Sequence, residues 1–341
     1  MQRRLETIDN VKILMMLAVV LYHSCMFFTG SWFDGAKPVY EAGYLSIFAR
    51  WLNTFHVQTF AMASGFLFYC LRTEKGKYIH FGKDILKRGK RLLLPYFCVM
   101  LTWVLPFYVH YSGFDLSKIV YKYVLGCAPS QLWFLPMLFL LFIIFYRVLY
   151  EKHVSTKGML VVAVASIGGG YLLDKIGVNV FQVSTAVKYA GYYYLGAYLC
   201  KEKIENRWMI PISGCGSIAF FVIGKAIEAN TTASAVVRLI GLILSYTCSY
   251  MGVIFIYNTV KMITDNLVNI RKSKIWNGLK DESFGIYLFH QQIIYLTIIP
   301  LNGKVPPIVQ VMISFFCAVG LASIITAMLK TFKLTRALYG V

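Results

Sequence analysis

Charge is scarce in this 341-residue chain: 14% of residues are Asp, Glu, Lys or Arg, while 58% are hydrophobic and the mean hydropathy is +0.62. A soluble domain is roughly 25% charged and 45–50% apolar, so the polar surface needed to cover a soluble globule is missing. The apolar content also excludes disorder. Strict alternation of polar and apolar residues is absent, which excludes a transmembrane β-barrel. No Cys-x-x-Cys pair and no Cys/His ligand spacing occurs among the eight cysteines, most of which sit inside apolar runs. They read as small buried apolar side chains, with no metal site and no disulfide framework. The first apolar run reaches about Phe28 without a small-residue cleavage site and is expected to stay as a helix.

What is present is a series of apolar runs separated by short charged stretches, the pattern of an all-α polytopic membrane protein. Ten spans are predicted: about 11–29, 45–70, 92–110, 131–149, 158–173, 186–200, 208–225, 237–259, 284–300 and 307–329. The fifth and sixth are short against the roughly 20 residues that cross the hydrocarbon. Gly168, Gly169 and Gly170 weaken the fifth further. With both termini in the cytoplasm, the cytoplasmic segments carry 24 of the Lys and Arg residues and the opposite loops carry 8. That asymmetry follows the positive-inside rule. It also accounts for the net charge of +19 without a nucleic-acid partner. No loop is long enough to fold alone, so residues 1–341 are expected to form one membrane domain whose chemistry sits between helices or at their ends.

Ionisable side chains in a span are costly and usually face the bundle interior. Lys12 and His23 are eleven residues apart, about 1100° of helix, which puts both on one face roughly 16 Å apart. Lys12 suits the cytoplasmic mouth, where it can snorkel or anchor the helix. His23 lies deeper; it suits an interhelical hydrogen bond or proton transfer near neutral pH. The second span also carries Asn53, His56 and Ser64, and its Arg50, Thr54 and Gln58 form a stripe at i, i+4, i+8, expected to line a wet cavity. The ninth carries Ser283, Tyr287 and His290 on one face. Before the third span, Arg88 and Arg91 share a face if helical, either as ordinary cytoplasmic charge or as a bidentate phosphate grip. His80, His110 and His153 read as ordinary loop or helix-end residues.

Several segments together resemble the acyltransferase 3 family of membrane O-acyltransferases. These are Ile8-Asp9-Asn10-Val11-Lys12 on through Leu21-Tyr22-His23-Ser24; Phe60-Ala61-Met62-Ala63-Ser64-Gly65-Phe66-Leu67; Arg88-Gly89-Lys90-Arg91; Leu132-Trp133-Phe134-Leu135; Tyr194-Leu195-Gly196-Ala197; and the run from Ser283 to His290. The resemblance implies transfer of an acyl group, usually acetyl, from cytosolic acyl-CoA to a hydroxyl, often on a cell-surface or lipid-linked glycan. It implies a polysaccharide or sugar O-acetylase-like enzyme of the bacterial plasma membrane, with acetyl-CoA as donor substrate and no bound cofactor. His23 then acts as general base or as nucleophile, with Tyr287 or His290 donating to the developing oxyanion. Lys12, Arg88 and Arg91 hold the donor's phosphates. Many members carry Arg where this chain has Lys12, which removes a bidentate contact there. The alternative reading is an exporter of a glycan or small molecule with the same architecture.

Overall fold

The computed structural model describes residues 2–30, 35–149, 154–177, 179–203, 207–230, 234–266 and 273–341; His153 lies outside them. The described residues form helices and turns with no strand. In chain order the helices are α1 (Gln2–Cys25), α2 (Gly43–Asn53), α3 (His56–Lys75), α4 (Phe81–Val99), α5 (Leu105–Ser112), α6 (Leu116–Ile119), α7 (Phe134–Val148), α8 (Thr156–Ile176), α9 (Val183–Glu202), α10 (Met209–Ala229), α11 (Ala235–Asn266), α12 (Lys274–Leu301), α13 (Pro307–Thr331) and α14 (Lys333–Tyr339). Helices α8, α10, α11 and α13 present large apolar side chains outward, among them Leu160, Val164, Ile212, Val222, Ile240 and Phe316. That surface suits hydrocarbon, not water.

Among the described residues, eight helical segments are long and apolar enough to cross a membrane: α1 with its following turn, α4–α5, α7 with the turn before it, α8, α10, α11, α12 and α13. The second and sixth predicted spans, α2–α3 and α9, are not among them. These two are the polar ones, and they pack against each other in the interior. A methyl group at Gly65 of α3 would overlap the backbone carbonyl of Tyr193. One at Gly196 of α9 would overlap the carbonyl of Met62. Each glycine therefore admits the other helix's backbone, as small residues do where membrane helices approach closely.

The second span is not one continuous helix. It breaks at Thr54–Phe55, between α2 and α3. Around the break polar side chains add second bonds to carbonyls that also accept backbone N–H groups: Thr54 Oγ1 donates to Trp51 O (2.7 Å), His56 Nδ1 to Leu52 O (2.8 Å) and Thr59 Oγ1 to Phe55 O (2.7 Å). Backbone groups that water cannot reach must be satisfied inside the protein. The third span is a helix from Phe81 to Ser112 with a wide π turn at Met100–Val104. The turn immediately precedes Pro106, whose ring cannot fit against the carbonyl four residues back.

The fifth and sixth spans are longer than the sequence suggested. Helix α8 has 21 residues and α9 has 20, about 30 Å each at 1.5 Å per residue. The triple glycine does not interrupt α8, because its glycines serve as packing surface. Gly169 faces Val187, and Gly170 lies against the stem of Lys188 on α9.

Polar contacts sort the helix ends into two groups. At one end, Lys280 pairs with Asp9 (2.8 Å), Trp276 Nε1 donates to Asn10 (2.8 Å) and Asn10 donates to Thr264 (3.0 Å). There too Tyr146 donates to Asp84 (2.6 Å) and Lys201 to Val154 O (2.6 Å). At the other end, Arg50 donates to Thr29 O (3.0 Å), Val39 N to Asn302 (2.9 Å) and Ser184 to Asp174 (2.8 Å). The first group holds the segments with the basic excess, so the alternation read from charge is also the alternation of the packed helices.

Candidate active site

Helix α1 runs through the middle of the bundle, against α3, α11, α12 and α13. Its Lys12–His23 face borders a cavity of about 310 Å³. Helix α4 brings Arg88 and Arg91 to the same cavity, α3 brings Ser64, the turn before α7 brings Gln131 and Trp133, and α12 brings Ser283 and Tyr287. Lys12, Arg88 and Arg91 stand at the end where the basic segments gather. None of the three pairs with a carboxylate among the described residues. The Arg88 guanidinium lies over the ring of Phe142, 5.3 Å from its centroid, and its Nε is buried without a partner. Stacking of this kind fixes the plane of the guanidinium and leaves its edge free for another group.

Deeper in, three histidines gather. The His23 ring centroid lies 5.1 Å from that of His290 on α12. Tyr22 contacts both His23 (5.0 Å) and His56 (4.9 Å). His290 and His56 are almost wholly buried, at 0% and 1% exposure. His290 Nδ1 lies 2.8 Å from Tyr287 O and 3.1 Å from Ile286 O, and His56 Nδ1 lies 2.8 Å from Leu52 O. A carbonyl oxygen only accepts, so both Nδ1 atoms carry a proton, and in the neutral ring Nε2 keeps the lone pair. His290 Nε2 and His23 Nδ1 are buried without partners. His23 is the member of the trio that borders the cavity.

Tyr287 and His290, the expected oxyanion donors, already have hydrogen-bond partners here. Tyr287 gives its one hydroxyl proton to the backbone carbonyl of Gln131. His290 gives its Nδ1 proton to its own helix. These bonds tie Tyr287 to the turn before α7 and hold the His290 ring against its own helix. Gln131 Nε2 donates to Leu288 O (2.9 Å) and to Gln292 (2.7 Å), which ties the turn carrying Trp133 to α12. The sequence reading assigned no role to Gln131 or Gln292, named Trp133 only within a segment that carries the family resemblance, and assigned His56 no role apart from its helix. Their one common signal is polar or amphipathic character inside apolar runs.

Arg50 and Gln58 lie elsewhere. With Asn53 and Thr54 they border a second cavity of about 510 Å³ at the opposite end of the bundle. Ser283 borders the first, where its Oγ donates to Lys280 O (3.0 Å). The two cavities meet across a thin aromatic partition. Trp133 borders one and Tyr189 the other, with ring centroids 5.6 Å apart. Along α3, Val57 faces the first cavity and Gln58 the second.

Apart from the histidines, one group of potential metal ligands lies close together among the described residues. Cys70, Glu74 and Cys200 bring their sulfur and oxygen atoms within 4.8 Å of one another at the ends of α3 and α9. The guanidinium of Arg4 already occupies that position, paired with Glu74 and donating to Cys200 O (3.0 Å). None of these residues borders the histidine cavity.

Comparison with known proteins identifies the family. The family model described as an acyltransferase domain matches residues 5–329, nearly the whole chain. No curated protein and no solved structure matches. The match runs from the first turn of α1 to the last turn of α13 and includes every residue around the two cavities except Gly340; the chain belongs to the acyltransferase 3 family.

Proposed function

We propose that this membrane acyltransferase moves an acetyl group from cytosolic acetyl-CoA to a hydroxyl of a cell-surface or lipid-linked glycan, in the plasma membrane of a bacterium. One observation carries the reading: three cations without carboxylate partners, Lys12, Arg88 and Arg91, share a single cavity with His23. The phosphates of coenzyme A match the cations, and guanidinium groups bind phosphate through parallel hydrogen bonds. The thin pantetheine arm spans the distance down α1, about 16 Å from Lys12 to His23 by helical rise. The thioester then lies beside the imidazole.

His23 serves as general base. As the acceptor oxygen attacks the thioester carbonyl, its proton passes to His23. When the tetrahedral intermediate collapses, the C–S bond breaks and the proton returns to the coenzyme A sulfur. Helix α12 supports this step by packing His290 against the His23 ring. Tyr287 and Gln131 are positioning residues that hold the Trp133 turn.

The test is turnover of acetyl-CoA by the purified full chain in lipid nanodiscs, comparing wild type with His23→Gln. Glutamine keeps polarity and much of the volume but takes up no proton near neutral pH. The variant is expected to bind acetyl-CoA normally and to lose about 10²–10⁴ in rate, as loss of a general base does. Near-normal turnover would return His23 to a helix-packing role.

A further inference from the structure

The second cavity has a built character of its own. Its walls are aromatic, with Tyr171, Tyr189, Tyr192, Tyr246, Phe220 and Phe221 around it. Between them stand polar groups, and the Gln58 Oε1 atom is buried there without a hydrogen-bond partner. Ring faces with hydrogen-bonding groups between them suit a sugar, which offers C–H faces to aromatics and hydroxyl donors to acceptors such as Gln58. At about 510 Å³ the space exceeds that of the donor cavity and falls within the range of small-molecule sites.

Its charges do not cancel. Lys188 pairs with Asp174, and Lys225 with Glu228. Arg50 is left over. It donates to Thr29 O (3.0 Å) and to Ser46 Oγ (3.3 Å), both neutral, and pairs with no carboxylate among the described residues. These two bonds orient the side chain and use part of its five-donor fork.

We infer that this cavity binds the acceptor, and that the acceptor sugar carries an anionic substituent, a carboxylate or a phosphate, held by Arg50. The inference rests on the acyltransferase reading above. The sugar's reacting hydroxyl points at the partition that Tyr189 shares with Trp133. The donor comes from one end of the bundle and the acceptor from the other, and the two meet at His23.

The experiment measures sugar binding to the full chain in nanodiscs with charged and neutral pairs: methyl glucuronoside against methyl glucoside, methyl galacturonoside against methyl galactoside, and glucose 1-phosphate against glucose. At least one charged member is expected to bind about tenfold or more tighter than its neutral counterpart, the scale of a charged hydrogen bond. The uronoside and phosphate arms tell the two anions apart. Arg50→Gln is expected to erase the preference, Arg50→Lys to retain part of it, and Arg88→Gln, at the donor cavity, to leave it intact. Acetyl-CoA binding by Arg50→Gln, expected to be normal, verifies that the variant folds. Absence of discrimination in every pair, or a preference that survives Arg50→Gln, overturns the inference. His23-dependent acetyl-CoA turnover without any charge preference overturns it while leaving the acyltransferase reading standing. A charge preference without acetyl-CoA turnover overturns the acceptor role and the acetyl-transfer reading together, leaving only an anionic-sugar site at Arg50.

Discussion

The ring of His23 lies 5.1 Å from the ring of His290, although 267 positions separate them in the chain. Helix α1 carries the first and α12 the second, and the two helices pack side by side. His290 spends its Nδ1 proton on its own helix and turns the other nitrogen into the interior. The pair therefore places a second imidazole against the proposed base without committing that base's own Nδ1 to a hydrogen bond.

Replacing Arg88 and Arg91 together by Ala is expected to weaken acetyl-CoA binding and to raise KM more than it lowers kcat. The contact is with the donor's phosphates, which do not change as the thioester reacts. Arg88→Lys is expected to restore little, because lysine lacks the planar fork and the stack on Phe142. Titration of acetyl-CoA into the nanodisc-embedded variants checks this, and unchanged affinity in the double variant would reduce these residues to positive-inside charge.

Tyr287→Phe separates positioning from chemistry. The hydroxyl bonds a backbone carbonyl, so its loss is expected to cost about 0.5–1.5 kcal/mol of ordering, a factor of roughly ten or less in kcat. Removal of a true oxyanion donor costs about 10²–10³. A loss of the larger size, measured as steady-state kcat, would put Tyr287 back among the catalytic residues.

The glycine contact between α3 and α9 predicts a structural defect. Gly65→Ala or Gly196→Ala forces a methyl into the facing backbone, and overpacking of this kind costs about 1–3 kcal/mol. Lower thermal midpoints are expected for both variants in detergent. Gly168→Ala is expected to be neutral, since nothing lies within 4 Å of the added carbon. Thermal unfolding followed by size-exclusion chromatography reads both outcomes.

Orientation is open to a direct test. Reporter fusions after Lys90 and Lys274 are expected to read as cytoplasmic, and those after Lys37 and Lys304 as external, from the 24-to-8 division of basic residues. Within the structure, Asn302 bonds both Lys37 O (3.0 Å) and Val39 N (2.9 Å), so those two loops share a face. Opposite signals from Lys37 and Lys304 would be incompatible with that contact.

Membrane residence, the helical class and the alternation of ends were legible in composition and charge, because a bilayer acts on the average polarity of whole segments. The shared face of Lys12 and His23 was legible too, since helical period alone fixes it. The break at Thr54–Phe55 was not. Arg50, Thr54 and Gln58 keep a helical period across it, and the break is held by side-chain bonds to carbonyls that no sequence pattern announces. The full length of α8 escaped for a related reason: three glycines lower helix propensity locally, but contact with α9 outweighs it.

Sequence by itself determined that the chain spans a membrane, which segments are helical, and which residues are too polar to face lipid. Each follows from the residue's own chemistry or from its neighbours a turn away. Only the tertiary structure decided that Arg50 and Gln58 border one cavity while Ser283 borders another, that His56 and His290 flank His23, and that the Tyr287 proton is already spent. Those are relations between helices distant in the chain, set by glycine contacts, buried amides and aromatic packing, whose partners the local sequence does not name.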